Sequence, residues 1–423
     1  MDLGASVRFD HQLLAVERDH HVHCMLELTA PAAVASTTRP PLHLAVVLDR
    51  SGSMAGPKLD TARECAAFLA RRLRPTDELS IVTYDDEVRL ELPLSPVGAH
   101  GALLEQALLR IAPGGMTNLS GGWLKGLEQL RSVPGGDGPK QVLLLSDGLA
   151  NSGITDAATL VGMARTAADE GVGTTTIGFG DGFDEELMTG MADSGGGHPY
   201  FAETPEQAPA IFEQEYEGLA SIVAQNVSVE LRPTSEVKVL GVLNDHPQVA
   251  VAGGVQLQLG DAYGEERRRI VFELFVPRLD RLGAEVVAEV VVRFVRVGAE
   301  VAAHELRVPV TVNLVSADEA SASGADHEVT EEVVILKAAR AQDEARVQAQ
   351  AGDLDGATRL LRKTAEDLRR AAAASSRPSE LEEQAVEMEQ HAQAFDDANF
   401  IDPLQSKRMH YQTFQRKRRR NTE

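Results

Sequence analysis

Val46-Val47-Leu48-Asp49-Arg50-Ser51-Gly52-Ser53-Met54 ends an apolar run in a turn that carries one carboxylate and two hydroxyls. An Asp-x-Ser-x-Ser turn after a buried strand brings three oxygen donors to one strand end. Two further segments share that design. Gly114-Gly115-Met116-Thr117-Asn118-Leu119-Ser120 offers another hydroxyl, and Leu143-Leu144-Leu145-Ser146-Asp147-Gly148 offers another carboxylate where an apolar strand stops. If these strands are neighbours, the oxygen-bearing turns meet at one edge of a sheet.

The surrounding pattern supports such a sheet. Strand-like runs at Leu42–Leu48, Leu79–Tyr84, Gln141–Leu145 and Gly173–Phe179 alternate with helical runs. The helix Lys58–Leu73 shows Leu59, Ala62, Ala66, Leu69 and Leu73 at helical spacing. Further helices are expected at His100–Ile111, Ser120–Leu130, Thr155–Glu170 and Glu206–Val223. This alternation predicts an α/β, doubly wound, mostly parallel sheet covered by helices on both faces. Ligands of such sheets sit beyond the carboxyl ends of the strands, where all three turns fall.

After Asn226 the period changes to two, as in Val227-Ser228-Val229-Glu230-Leu231 and Val255-Gln256-Leu257-Gln258-Leu259. Such runs predict an antiparallel β-sandwich over residues 226–316. Residues 1–40 alternate in the same way and are expected to join that sandwich, with the α/β domain of residues 41–225 inserted between them. Without that pairing, sheet edges would stay open. Residues 327–400 are Ala-, Glu-, Gln- and Arg-rich and predict a helical bundle. Residues 401–423, with Lys407-Arg408 and Arg416-Lys417-Arg418-Arg419-Arg420, read as a basic flexible tail.

Composition narrows the function. The chain has 423 residues, too many for one comfortable core, and 43% are hydrophobic. Its net charge of -23 argues against nucleic acid or an anionic membrane as a general partner, leaving only the basic tail for such contacts. Cys24 and Cys65 are the only cysteines and read as free thiols, not a secreted disulfide framework. The first residues show no export signal, and no run approaches the roughly 20 apolar residues of a membrane helix. A cytoplasmic location is expected.

A magnesium-sized cation prefers about six oxygen ligands at about 2.0–2.1 Å. Hydroxyls from Ser51, Ser53 and Thr117 with charge from only Asp49 and Asp147 would leave such an ion electrophilic, open to a partner's carboxylate. Magnesium is the expected ion; manganese or calcium would suit the same oxygens. No sulfur or imidazole is offered at these turns, which argues against structural zinc. The simpler alternative is that Asp49, Ser51 and Ser53 cap the helix beginning near Pro57, with Gly-Gly-Met-Thr-Asn as an ordinary helix start.

In order and spacing, the three segments resemble the von Willebrand factor type A (VWA) domain and its metal-ion-dependent adhesion site, in the form found in bacterial intracellular proteins. The resemblance covers about Leu42 to Val223. It implies that Ser51, Ser53 and Thr117 ligate a metal directly, that Asp49 and Asp147 act directly or through water, and that Gly52 and Gly148 let the backbone turn. Met116 departs from the family pattern and could tilt the Thr117 loop. Arg50, Met54, Met116 and Asn118 are expected to form a partner-binding rim. The resemblance also implies that the last helix of the domain can shift when the metal shell is completed.

Other constellations are weaker. In His20-His21-Val22-His23-Cys24, adjacent residues face opposite ways on a strand, so His21 and His23 share one face with His20 and Cys24 on the other, and they do not make one local metal site. Gly178-Phe179-Gly180-Asp181-Gly182 lacks dinucleotide-loop spacing, and His198 reads as a turn residue. No Gly-x-x-x-x-Gly-Lys loop or nucleophile triad is present. The expected function is a non-enzymatic protein-protein interaction module that captures an Asp or Glu of a partner, the resemblance suggesting an AAA-type ATPase or a signalling protein in an intracellular stress or signalling complex. A secreted or surface adhesin and a metal-dependent hydrolase are the alternatives.

Overall fold

The computed structural model describes residues 3–33, 39–133, 138–297, 302–397, 402–418 and 420–422. Strand β1 (Gly4–Phe9) is followed by the short β2 (Leu13–Ala15) and by β3 (His20–Thr29). Period-two alternation decides what β3 buries. Val22, Cys24, Leu26 and Leu28 enter one core, while Met25 faces a second.

The α/β unit runs through β4 (His43–Asp49), α1 (Pro57–Arg72), β5 (Glu78–Tyr84), β6 (Val88–Pro96), α2 (Val97–His100), α3 (Ala102–Arg110) and α4 (Leu119–Arg131). It continues with β7 (Lys140–Ser146), α5 (Ala157–Asp169), β8 (Val172–Phe179), α6 (Glu185–Ser194), β9 (Gly196–Ala202) and α7 (Ala208–Ala220). The strand order is β6-β5-β4-β7-β8-β9, parallel except for β6. This is the doubly wound fold expected from the alternation.

Every residue of β4 is buried, as a central parallel strand requires. Leu44, Val46 and Leu48 pack with Leu59, Ala62, Ala66 and Leu69 of α1, whereas Ala45 and Val47 face Trp123 and Leu127 of α4. Fully burying a Leu or Val of this kind contributes about 1.5–3 kcal/mol. Helix α4 approaches the sheet closely because Gly122 and Gly126 face it. A Cβ on Gly126 would lie 2.7 Å from Val47, and one on Gly122 would run into Tyr84. That approach places the start of α4, and the loop before it, over the ends of β4 and β5.

Ser221 alone separates α7 from β10 (Ile222–Pro233). The strands that follow are β11 (Lys238–Val242), β12 (Gln248–Val251), β13 (Gly254–Tyr263), β14 (Glu266–Val276), β15 (Gly283–Arg296) and β16 (Ala302–Val315). They form two sheets, β1-β3-β14-β11 and β12-β13-β10-β15-β16-β2, packed around one apolar core. Strand β3 precedes the α/β unit and β14 follows it, yet they pair antiparallel, with Cys24 opposite Phe272 and Leu26 opposite Ile270. The α/β unit is therefore carried between strands of the sandwich.

Helices α8 (Ala317–Ala322), α9 (His327–Gln350), α10 (Leu354–Ala372) and α11 (Pro378–Asp397) follow. Asp326 starts α9 by accepting from the amides of Glu328 and Val329. Val329, Val333 and Leu336 of α9 then cover Met25 and Val271 on the outer face of the β3/β14 sheet.

The basic C-terminal segment is not the flexible tail expected from its charge. Pro403–Arg418 is helix α12, and Arg420–Thr422 is a short strand, β17, on β14. Basic side chains of α12 have acidic partners: Lys407 pairs with Glu185, Arg408 with Glu203, Arg416 with Glu387, Lys417 with Asp343, and Arg418 with Asp193. Tyr411 stacks on Phe201 with ring centroids 5.5 Å apart. Acidic residues on α6, directly after β9, and on α9 and α11 supply the counter-charge that lets this segment fold down.

Candidate metal centre

Asp49 is the last residue of β4 and Asp147 follows β7, so the parallel register sets both carboxylates at one edge of the sheet. Asp49 Oδ1 accepts the Ser51 amide at 2.8 Å, and Asp49 Oδ2 accepts the Ser146 hydroxyl at 2.7 Å. Ser53 Oγ donates to Asp147 Oδ1 at 2.6 Å and lies 3.1 Å from Ser51 Oγ. With its proton turned to Asp147, Ser53 keeps its lone pairs for another centre.

Thr117 arrives on a loop held at several points. Its amide donates to Asn151 Oδ1 at 2.8 Å and its carbonyl accepts the Asn151 amide at 3.1 Å. The Gly114 amide donates to the Arg50 carbonyl at 2.7 Å, and the Gly52 amide donates to the Gly115 carbonyl at 3.0 Å. These bonds join the Thr117 loop to the Asp49–Ser53 turn. Thr117 is buried while Met116 points outward, 51% exposed, so the departure at Met116 is accommodated in solvent. A Cβ on Gly148 would lie 3.5 Å from Thr117 Oγ1 and 3.6 Å from Ser53 Oγ. Glycine there keeps the hydroxyls' shared space clear.

The capping alternative does not account for these side chains. Gly56 occupies the N-cap of α1 and no side chain bonds there. At α4 the capping is done by Asn118, which accepts the Gly121 amide at 3.0 Å, and not by Thr117. Asp49, Ser51, Ser53, Thr117 and Asp147 are thus gathered at one edge without being required for helix starts. Among the described residues no three His, Cys, Asp or Glu side chains cluster as metal ligands. Two carboxylates and three hydroxyls are instead a donor set for a hard divalent cation, and the residues fit one.

Electrostatics favour a cation here. Both carboxylates are buried. Burial pushes the Asp49 carboxyl up to about 6, against the lowering effect of its bonds from Ser51 and Ser146, and the nearby Asp147 charge adds to the rise. Lys58, on the first turn of α1, donates to Asp147 Oδ2 at 2.5 Å.

The expected rim is largely redrawn. Arg50 is buried at 6% exposure, and its guanidinium donates to Asp85 Oδ1 at 2.8 Å and to the Ala112 carbonyl at 3.3 Å. Asp85 in turn accepts the Gly115 amide at 3.1 Å. Arg50 is therefore an internal brace of the Thr117 loop. Met54 is fully buried in the core beneath α1. Asn118 is half-buried as the α4 cap. Met116 remains at the surface, joined by Leu149 at 59% exposure, directly after the Asp147-Gly148 turn. An apolar residue in that turn was the available signal for Leu149. Ser146, Lys58 and Asn151 were also missed, since their roles depend on partners distant in sequence.

The remaining sequence candidates lie elsewhere. His23 Nδ1 is 2.7 Å from Asp10 Oδ2, His20 Nε2 is 2.8 Å from the Ala15 carbonyl, and Cys24 is in the sandwich core. His198 sits in β9, with Nδ1 at 3.2 Å from Glu215 Oε2.

A six-stranded α/β sheet with hydroxyl and carboxylate turns at its strand ends defines a class, and residues 43–214 match the family model of the von Willebrand factor type A domain. Residues 43–214 thus carry a VWA domain, and such domains are typically protein-interaction modules. It is 26% identical to the uncharacterized protein sll0103 of Synechocystis, over 77% of this chain and 78% of that one. It is 27% identical to the uncharacterized protein YfbK of Escherichia coli, over 56% of this chain but 42% of YfbK. Among solved structures, a von Willebrand factor type A protein from Catenulispora acidiphila superposes with a TM-score of 0.68 at 16% identity, covering 94% of this chain and 97% of that one. The ArnB paralog VWA2 from Sulfolobus acidocaldarius superposes with a TM-score of 0.62 at 18% identity, covering 98% of each. These likenesses extend the shared fold beyond the α/β unit to nearly the whole chain.

Proposed function

We propose that this protein is a non-enzymatic interaction module that holds a divalent cation, magnesium foremost, and captures an Asp or Glu of a partner protein. The observation that carries this reading is the gathering of Ser51, Ser53, Thr117, Asp49 and Asp147 at the carboxyl-terminal edge of the sheet, with Gly148 leaving the space beside the Ser53 and Thr117 hydroxyls clear. Ser51, Ser53 and Thr117 would hold the ion directly, and Asp49 and Asp147 directly or through water. A bound cation would supply a positive centre at which a partner's carboxylate replaces a water ligand, with no covalent bond broken. Asp49 is orientated by Ser51 and Ser146, and Asp147 by Ser53, so both carboxylates are held in place before a ligand arrives. Exposed Met116 and Leu149 on the flanking loops add apolar area for the partner residues beside the acid. The working location proposed is the cytoplasm, in a stress or signalling complex with an AAA-type ATPase or a signalling protein as partner.

The test is affinity capture from a native extract with the wild type and with Asp49→Ala plus Asp147→Ala, each with magnesium and with EDTA. A partner retained only by the wild type in magnesium supports the reading. A partner held equally under all four conditions overturns it.

A further inference from the structure

Asp147 is fully buried, and each of its oxygens has one donor, Ser53 Oγ at 2.6 Å and Lys58 Nζ at 2.5 Å. The neighbouring carboxylate, Asp49, accepts bonds from the neutral donors Ser51 and Ser146. The other cation of this turn, Arg50, is engaged with Asp85. Lys58 therefore brings positive charge to a pair of buried carboxylates, and an uncompensated buried carboxylate is strongly disfavoured.

Resting on the metal-site reading above, we infer that Lys58 is a resident counter-ion that a divalent cation must displace, so that ammonium and metal are alternative partners of Asp147. A divalent ion ligated by Asp147 would put two cations against one carboxylate oxygen pair, and their repulsion acts over the few ångströms that separate them. Lysine suits such an exchange. Its charge is a compact point on a flexible four-carbon stem, free of the fixed fork that makes arginine a permanent clamp. The Lys58 side chain is 32% exposed, whereas Asp147 is sealed, so the ammonium has an outward route that the carboxylate lacks. Gly180 stands opposite, where a Cβ would lie 3.7 Å from Lys58 Nζ, so no side chain from that residue blocks the way. Lys58 is anchored by the first turn of α1. Once released, its charge stays beside the site and adds to the attraction for an acidic partner.

The test is calorimetric titration of manganese and magnesium chloride into the wild type, Lys58→Met and Lys58→Gln, together with melting curves in EDTA and in metal. The Lys58→Gln variant keeps an N–H for Asp147 while removing the charge, which covers the case in which Lys58→Met does not fold. Removing the competitor is expected to tighten metal binding at least tenfold, to lower the melting temperature in EDTA, and to enlarge the gain in melting temperature on adding metal. Equal or weaker metal binding by folded variants, beside clear binding by the wild type, overturns the exchange and leaves the metal site standing. Absence of saturable metal binding in the wild type and in both variants overturns the site and the exchange together.

Discussion

Ser146 donates its hydroxyl to Asp49 Oδ2 at 2.7 Å across 97 residues of sequence, tying the end of β7 to the end of β4. The bond satisfies half of a buried carboxylate already pushed up to about 6. Replacing Ser146 with Ala leaves that oxygen without its donor. Such a loss costs about 1–3 kcal/mol, and metal binding should weaken with it because Asp49 is less firmly orientated. Urea denaturation and metal titration of Ser146→Ala check this; stability within about 0.5 kcal/mol of wild type would contradict it.

Arg50 should behave as a brace and not as a recognition residue. Arg50→Ala strips the partner from Asp85, which is buried and holds the Gly115 amide. Breaking one side of a buried pair costs about 3–5 kcal/mol. The Thr117 loop should loosen at the same time. Amide hydrogen exchange is expected to quicken at Gly114, Gly115 and Thr117, and unchanged exchange there would refute the brace.

Met116 and Leu149 should show the opposite profile. Both are exposed, so Met116→Ser with Leu149→Ser should change stability by no more than about 0.5 kcal/mol. Metal affinity should also hold, since neither side chain is a donor. Partner capture should fall about tenfold, near 1.4 kcal/mol. A titration of metal followed by a pull-down separates these effects, and full retention of the partner would remove the apolar rim from the reading.

Docking of α12 should be sensitive to acid. His410 shares a hydrogen bond with Thr189 at 2.9 Å, and burial, helped by the charge of Arg346, lowers its pKa from the ordinary 6.5 to about 4. Asp343 and Glu185 act in the other direction, with Lys417 on the side of Arg346. Because the folded value lies below the unfolded one, proton uptake favours the unfolded chain. The stabilisation is fully present above pH 6.5 and is lost as pH falls toward about 4, amounting to about 3 kcal/mol. His410→Gln should flatten melting temperature against pH in that window, and an unaltered slope would exclude His410 as the cause.

The strands and helices of the α/β unit were legible because their signals are local. Leu44, Val46 and Leu48 alternate with Ala45 and Val47 within one strand, and the helical spacing of α1 lies within one run of residues. The candidate donors were legible for a related reason: each lies in a short turn directly after a strand or before a helix, and parallel strands place such turns at one edge. Arg50 and Met54 were misread because position in a polar turn does not report burial. Asp85, 35 residues away, turns Arg50 inward, and the core under α1 takes Met54.

Residue order thus suffices for the alternation of strand and helix, the period-two sandwich strands and the three hydroxyl- and carboxylate-bearing turns at the strand ends, all of which follow from spacing within a few residues. Tertiary packing alone decides which side chains of those turns face solvent, that Lys58 meets Asp147, and that a basic C-terminal segment lies down as α12. Each of these depends on a partner far along the chain, as Lys407 depends on Glu185 across 222 residues. A charge in sequence becomes a tail, a brace or a counter-ion only when folding brings its opposite within reach.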